Sequence, residues 1–229
     1  MHIPDGFFEG HTSAGAGVAA AAGTAIVLRK AADDLAAQPQ LARVAAATAA
    51  VVFAGQMANF GVADGTSGHL IGGVLAAVLV GPWLASLSVT LVLVVQAVVF
   101  ADGGLGALGL NVINMSFVAA IGGWFLYRGL QRWVGDTPKA TTVAAGLAAA
   151  ASVVLASAAF TVEHALGATT EVATLDVLAA MVGVHLLIGV GEGIITGAVV
   201  ATVLATQPGL LYGRGGSPVH DGTWAGAAS

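Results

Sequence analysis

Apolar runs long enough to enter a bilayer recur along nearly the whole chain. Hydrophobic residues make up 57% of the 229 positions and charged residues only 8%, whereas soluble domains have about a quarter charged. So little polar surface cannot cover a water-facing exterior. The sequence therefore predicts an all-α, polytopic membrane bundle of about seven transmembrane helices. The predicted segments are residues 12–28, 44–62, 68–82, 83–101, 110–127, 141–162 and 176–206.

The third and the last of these segments have unusual lengths. Segment 68–82 is short for a bilayer crossing, so it is either a tilted helix or a partly re-entrant one. Segment 176–206 would be about 46 Å long at about 1.5 Å per residue, against a hydrocarbon core of about 30 Å. It is expected either to extend into the cytoplasm or to break near the glycines at 189, 191, 193 and 197.

The basic residues predict the orientation of the chain. They fall in the first connection, the fifth connection and the C-terminal tail, at Arg29, Lys30, Arg43, Arg128, Arg132, Lys139 and Arg214. Seven crossings place all of them on one side, which is the cytoplasm by the positive-inside rule. We therefore expect the N-terminus outside, one membrane domain over 1–206 and a flexible cytoplasmic tail over 207–229. Six crossings would put the basic clusters on opposite faces.

The first residues predict a metal site. The opening MHIPDGFFEG contains two acids and no basic residue, unlike a secretory signal, so Met1 is expected to be the retained end of the chain. The Met1 amine, the His2 amide nitrogen and the His2 imidazole Nδ1 can bind one cation in fused five- and six-membered rings. Three coplanar nitrogens suit Ni(II) or Cu(II), whereas zinc prefers a tetrahedron and magnesium prefers oxygens.

A fourth donor is expected from the start of the third segment. His69 ends the run Asp64-Gly65-Thr66-Ser67-Gly68-His69, which the predicted topology puts on the same outer side as His2. The predicted metal ligands are therefore Met1, His2 and His69. The residues that could orient them are Gln56, Asn59, Thr66, Ser67, Asn111 and Asn114. Hydrogen bonding between helices is an equally ordinary use of such polar side chains.

Four stretches resemble a known family. MHIPDGF at the start, GQMANFGVADGTSGHLIGG at 55–73, FADGGLGALGLNVINM at 100–115 and HLLIGVGEGIITG at 185–197 are similar to the substrate-binding subunit of nickel/cobalt energy-coupling-factor transporters, the NikM/CbiM family. The resemblance implies that the metal is held by the Met1 amine, the His2 amide and imidazole, and His69. The Ile-Pro-Asp start and the GTSGH motif look more like the nickel branch, with Co(II) as the alternative substrate.

The same resemblance implies partners. Import by this family is powered by a pair of cytoplasmic ATPases through a transmembrane coupling subunit, in some cases with a small auxiliary membrane subunit. This chain has no phosphate-binding G-x-x-x-x-G-K-[ST] loop, so we expect no nucleotide on it, and no nucleic acid partner. The expected location is the bacterial inner membrane.

Two further features bear on function. Glu192 lies deep in the last segment, where an acid needs a partner, and His185 is seven residues earlier on the same helix face. We expect a structural or coupling role for Glu192. The competing hypotheses are an intramembrane hydrolase using Ser67 or Ser116, whose surroundings are not the G-x-S-x-G turn, and an autonomous channel or carrier, which would need several paired ionisable residues. The chain is therefore not expected to be an enzyme.

Overall fold

The computed structural model describes residues 1–58, 60–61 and 67–214, and most of these are helical. The helices are α1 (Gly10–Ala37), α2 (Leu41–Met57), α3 (Gly73–Val99), α4 (Leu108–Asn111), α5 (Gly123–Val134), α6 (Pro138–Gly167) and α7 (Thr174–Thr206). The remaining elements are a π-helical segment at Val112–Gly122, a 3-10 turn at Pro208–Leu210, and the antiparallel two-residue strands β1 (Phe60–Gly61) and β2 (Ser67–Gly68).

The described helices have the length and composition of membrane spans. Five of them can cross a bilayer: α1, α3, α6, α7 and the continuous helix Leu108–Val134, which we call the central helix. α2 is also apolar but has only 17 residues. A helical membrane protein of several spans is therefore confirmed, whereas the number seven and the orientation of the termini stay predictions.

α3 joins the predicted segments 68–82 and 83–101, and it is interrupted at their boundary. Gly81 has φ 82° and ψ 164°, which no helix allows, and Pro82 follows it. Glycine is the residue that adopts this positive φ without strain, and proline lacks the amide hydrogen that a continuous helix would need. The helical part of the third predicted segment begins only at Gly73, so it is shorter than expected.

The two halves of α3 run in opposite directions along the central helix. The first half begins with Gly73 packed on the main chain of Ala120. After the interruption, Ser86 and Thr90 both hydrogen-bond to Ser116, at 2.6 and 2.9 Å. Ser116 lies one turn before Ala120 in the central helix, so the second half has turned back towards the start of that helix. Gly81 is therefore a reversal of the chain rather than a simple kink.

α7 is unbroken over 33 residues, so of the two alternatives for this segment the break near its glycines is wrong, and extension into the cytoplasm stays a prediction. These glycines serve close packing on α6 instead. A Cβ added to Gly189 would lie 2.8 Å from the carbonyl oxygen of Ala150, and one added to Gly193 would lie 2.8 Å from that of Gly146. Small residues let membrane helices approach at this distance. The α6–α7 contact thus fixes the position of α7 along the bundle.

The chain folds back after α7. The amide of Tyr212 donates to the Val78 carbonyl at 2.9 Å, and Arg214 makes a 2.7 Å ion pair with Asp136 in the α5–α6 connection. These residues belong to the predicted tail 207–229, of which the structure describes the part up to Arg214. The division of the chain after residue 206 stays a prediction.

The α6–α7 packing gives a matched pair of variants. Gly193→Ala places a methyl group against the Gly146 carbonyl, and overpacking of this kind costs about 1–3 kcal/mol. Gly191→Ala adds its methyl group where no atom lies within 4 Å, and alanine is about 1 kcal/mol better than glycine inside a helix. We expect thermal unfolding in detergent to show a lower Tm for G193A and an unchanged or higher Tm for G191A. Equal Tm values would contradict the proposed packing.

Candidate metal centre

The first residues of the chain are buried inside the helix bundle. Met1 is 1% exposed and Ile3 is fully buried. The Ile3 amide donates to Asn111 Oδ1 at 2.9 Å, and Asn111 Nδ2 donates to the Ile3 carbonyl at 3.3 Å. That carbonyl also accepts from the Gly104 amide at 2.8 Å. Both polar groups of the Ile3 main chain are therefore satisfied, and the position of residues 1–3 is fixed.

A glycine-rich loop before α4 closes over this segment. The Asp5 carboxylate accepts from the amides of Leu105 at 3.2 Å and Gly106 at 2.7 Å. A Cβ on Gly104 would overlap Asp5 itself, so the loop can approach the segment only with glycine at that position. These contacts hold the start of the chain against the end of α3 and the start of α4.

His2 is buried with an acceptor near each ring nitrogen. Its Nε2 lies 3.1 Å from Gln96 Oε1, and its Nδ1 lies 3.2 Å from Asp102 Oδ1. Burial and then the Met1 amine lower the pKa of His2 to about 4, against the smaller opposing effects of Asp102 and Gln96. The ring is therefore neutral at pH 7 and has one N–H for two neighbouring acceptors. Whichever nitrogen lacks the proton faces an oxygen, and a cation at Nδ1 would be stabilised by Asp102.

His69 lies beside His2, with ring centroids 4.5 Å apart and ring planes inclined by 28°. Its Nδ1–H donates to the Leu70 carbonyl at 2.8 Å, which leaves Nε2 unprotonated, buried and without a hydrogen-bond partner. Burial lowers the pKa of His69 well below its usual value, and Met1, His2 and His185 act in the same direction. A neutral imidazole whose other nitrogen is held by a carbonyl is the usual form of a metal-binding histidine.

The Met1 amine is the third nitrogen at this place. Burial lowers its pKa from 8.0 to about 4, although Asp102 acts in the opposite direction. Among the described residues, no three His, Cys, Asp or Glu side chains are arranged to hold a metal. A metal ion at this place would therefore need donors besides the side chains of these four residue types.

The chain around His69 is held from two helices. Gln56 of α2 donates to the Ile71 carbonyl at 2.9 Å. Glu192 of α7 accepts from the amides of Ile71 at 2.6 Å and Gly72 at 2.9 Å. Gln56 thus supports the main chain next to His69 rather than the imidazole itself, and Glu192 has the partner that an intramembrane acid requires.

The family follows from comparison with known proteins. The family model described as the cobalt uptake substrate-specific transmembrane region matches residues 2–210. The chain belongs to this family. It is thus a membrane protein of a nickel and cobalt transport family, as its motifs predicted.

Relatives of the family agree with this assignment. A putative fused nickel transport protein NikMN of Archaeoglobus fulgidus is 36% identical over 71% of this chain. The match covers only about half, 53%, of that longer protein. A putative metal transport protein of Haloquadratum walsbyi is 33% identical over 93% of this chain and 94% of its own length. A crystal structure described as a transition metal transporter has a TM-score of 0.80 and 30% identity, covering 90% of this chain and 93% of its own.

The residues that were predicted to orient the ligands make different contacts in the structure. Asn111 holds the Ile3 main chain, and Gln56 holds the His69 loop. Asn114 instead donates to Glu163 at 2.7 Å. Asn59, Thr66 and the side chain of Ser67 lie outside the described part of the chain.

Sequence reasoning missed three residues near the site. Gln96 and Asp102 contact the His2 ring, and His185 acts electrostatically on His69. His185 resembles His69 in its bonding, because its Nδ1–H donates to Met181 at 2.6 Å and its buried Nε2 has no hydrogen-bond partner. Gln96 had a visible signal, since it interrupts the apolar run LVLVVQAVV, where a polar residue needs a partner.

Asn111 and Asn114 form a matched pair for testing the site. Asn111→Ala removes both side-chain contacts to Ile3 and frees the start of the chain, whereas Asn114→Ala removes a contact to Glu163. Loss of a residue that orients a ligand typically costs about 10–100-fold in metal affinity. We expect isothermal titration with Ni(II) to give about 10-fold weaker binding for N111A and no change for N114A. The reverse order would show that Ile3 does not hold the ligands in place.

The lowered pKa values predict the pH dependence of metal binding. The Met1 amine and the His2 imidazole, both with a pKa of about 4, are already neutral between about pH 5 and about pH 8, so if the predicted chelate forms, only the His2 amide releases a proton on binding. The logarithm of the apparent Ni(II) affinity should then rise by about one per pH unit in that window and more steeply below about pH 4. An exposed amine and imidazole would instead give a slope above two near about pH 5. Titration in a series of buffers measures the slope.

Proposed function

We propose that this chain is the substrate-binding subunit of an ATP-driven energy-coupling-factor importer and captures Ni(II) at the outer face. The observation that carries the proposal is the burial of Met1, His2 and His69 at one place. The Met1 amine, the deprotonated His2 amide and His2 Nδ1 form the planar chelate, and His69 Nε2 supplies the fourth nitrogen. Four nitrogens in a plane suit Ni(II).

The spacing of the two imidazoles supports this arrangement. A metal–nitrogen bond of about 2 Å puts each ring centroid about 3.1 Å from the ion, so two imidazoles on adjacent corners of a square have centroids about 4.5 Å apart. The centroids of His2 and His69 are separated by 4.5 Å. In the proposed chelate His69 is opposite the amide and therefore adjacent to the His2 ring. The distance fits this arrangement, but the two rings are stacked, with planes inclined by 28°, so the His69 ring has to turn for both nitrogens to reach one ion.

The charges also favour a divalent ion. With neutral imidazoles and a neutral amine, the site contributes one negative charge from the deprotonated amide and one from Asp102, next to His2 Nδ1. Together they balance a dication, so the loaded site carries no net charge. A buried charge is costly unless it is compensated, and Asp102 supplies that compensation.

The proposed topology has seven crossings, with the N-terminus outside and the C-terminus in the cytoplasm. The reversal at Gly81 supports it, because it divides α3 into a short descending half and a long ascending half. The contact of Tyr212 with Val78 puts the start of the tail at the same end of the bundle as that reversal. We place the protein in the bacterial inner membrane, where a transmembrane coupling subunit, a pair of cytoplasmic ATPases and, in some systems, a small auxiliary subunit complete the importer.

Co(II) is the second candidate substrate, because the matching family model is described by cobalt uptake. A square-planar set of four nitrogens favours Ni(II) over Co(II). The hydrolase hypothesis has less support, since the Ser116 hydroxyl is bonded to Ser86 and Thr90 and serves to hold α3 on the central helix.

The test measures Ni(II) and Co(II) binding by isothermal titration, after intact-mass measurement has established that Met1 is the free end of the chain. His2→Ala and His69→Ala should each weaken Ni(II) binding by at least about 100-fold, since each removes a ligand. Acetylation of Met1 should do the same. The control is His11→Ala, an exposed histidine paired with Glu9, which should bind as wild type.

The absorption spectrum of the nickel-loaded protein provides a second measurement. A planar site with a deprotonated amide is yellow-orange, and an octahedral site is pale green. Unchanged affinity after acetylation or in the His2 variant would overturn the proposed chelate. Tighter binding of Co(II) than of Ni(II) would make cobalt the substrate.

A further inference from the structure

Glu192 is a buried carboxylate that binds main chain rather than a cation or another side chain. It lies mid-way along α7 and is 2% exposed. Its Oε2 accepts from the Ile71 amide at 2.6 Å and its Oε1 from the Gly72 amide at 2.9 Å. A carboxyl group has two acceptor oxygens, and these two bonds occupy both of them.

The amides that Glu192 binds have no helical partner. Residues 69–72 are not helical and lead directly into α3. A buried main-chain N–H without a partner is costly, so a buried non-helical stretch requires an acceptor from elsewhere in the protein. Glu192 is that acceptor for two consecutive residues. The stretch can therefore leave the helical conformation, which is what lets His69 reach His2.

The same stretch is restrained on its other side by α2. Gln56 donates to the Ile71 carbonyl at 2.9 Å, so the two peptide groups of Ile71 are held by side chains from two helices. Gly72 has φ +74°, and a Cβ there would lie 2.9 Å from Val52 Cγ2. Ile71 is only two residues from His69, so these restraints act directly on the reach of the imidazole.

We propose that Glu192 is a positioning residue for metal binding, whose carboxylate holds the main chain at Ile71 and Gly72 so that His69 can supply the fourth nitrogen. This inference rests on the proposed function, because it takes His69 to be a ligand. It assigns Glu192 no contact with the metal. Because Glu192 belongs to α7 and binds the main chain beside His69, the geometry of the site depends on the position of α7.

A cavity lies beside the Glu192 carboxyl group and the main chain that it binds. The cavity has a volume of about 140 Å³ and is lined by residues that include Val52, Leu70, Gly72, Glu192 and Thr196. Once the carboxylate is removed, the stretch 70–72 has empty space into which it can move. Repacking of neighbouring side chains then does not hold His69 in place.

The test is a double-mutant cycle with Glu192→Gln, His69→Ala and the double variant, titrated with Ni(II) alone. Glutamine keeps the size of the side chain, but it turns an amide group towards a main-chain N–H and loses one of the two bonds. We expect E192Q to weaken Ni(II) binding by about 10-fold and to shift the planar absorption band towards the spectrum of H69A. In the H69A background, E192Q should have no further effect, because it acts through His69.

The control is Thr196→Val. It changes a residue on the next turn of α7 that lines the same cavity, and it leaves the hydrogen bonds from Ile71 and Gly72 to Glu192 intact. It should bind Ni(II) as wild type. If gel filtration in detergent shows that E192Q does not fold, Gln56→Leu replaces it. This variant removes the hydrogen bond from α2 to the Ile71 carbonyl, and it is combined with H69A in the same double-mutant cycle. A fall in affinity that is equal with and without His69 would overturn the inference, as would unchanged binding in E192Q. Unchanged binding in H69A alone would instead overturn the proposed function.

Discussion

The burial of Met1, His2 and Ile3 inside a membrane bundle is the constraint on which the rest of the structure depends. An ammonium group in such a place is costly, and the lowered pKa of the Met1 amine expresses that cost as a loss of the proton. A neutral amine beside a neutral His2 is a pair of electron donors with Asp102 close by. The structure maintains this arrangement by bonding Ile3 on both its amide and its carbonyl, so the terminus cannot retreat into water.

The reversal in α3 brings the two histidines together. His69 lies four residues before α3 begins, and Gln96, which holds His2, lies near its end. In a straight helix these two residues would be about 40 Å apart at about 1.5 Å per residue. Because the chain turns back at Gly81, both ends of α3 reach the same buried place. One folded hairpin therefore determines the position of His69 and of the ring that faces it.

Much of this arrangement is predictable from local sequence, and the rest depends on contacts that local sequence does not specify. Composition predicts the bilayer, and the Met-His start with His69 predicts the donors, because chelation is a property of neighbouring atoms. The predicted boundary between residues 82 and 83 lies within one residue of the reversal at Gly81. The sequence does not show that Gln96 pairs with His2, because 94 residues separate them.

The glycines of α7 mark close contacts with α6 rather than a break in the helix. A glycine can mark either a break in a helix or a close contact between two helices, and only the neighbour decides which. Opposite Gly193 that neighbour is Gly146, whose carbonyl leaves no room for a Cβ. Apolar patterning does not separate the two faces of α7, since exposed residues such as Leu187 and buried residues such as Ile188 are both hydrophobic.

α7 connects the packing of the bundle to the chemistry of the site. Its glycines fix it against α6, and Glu192, only one residue before Gly193, reaches across to the main chain beside His69. Coordination requires each donor within about 0.5 Å of its place, so a small shift of α7 is enough to change the reach of His69. Linkage works in both directions: a metal that needs His69 in place also stabilises this position of α7. A partner on the exposed face of α7, which includes Leu187 and Ile194, would therefore change the affinity for the ion only by binding this position of α7 more tightly than another.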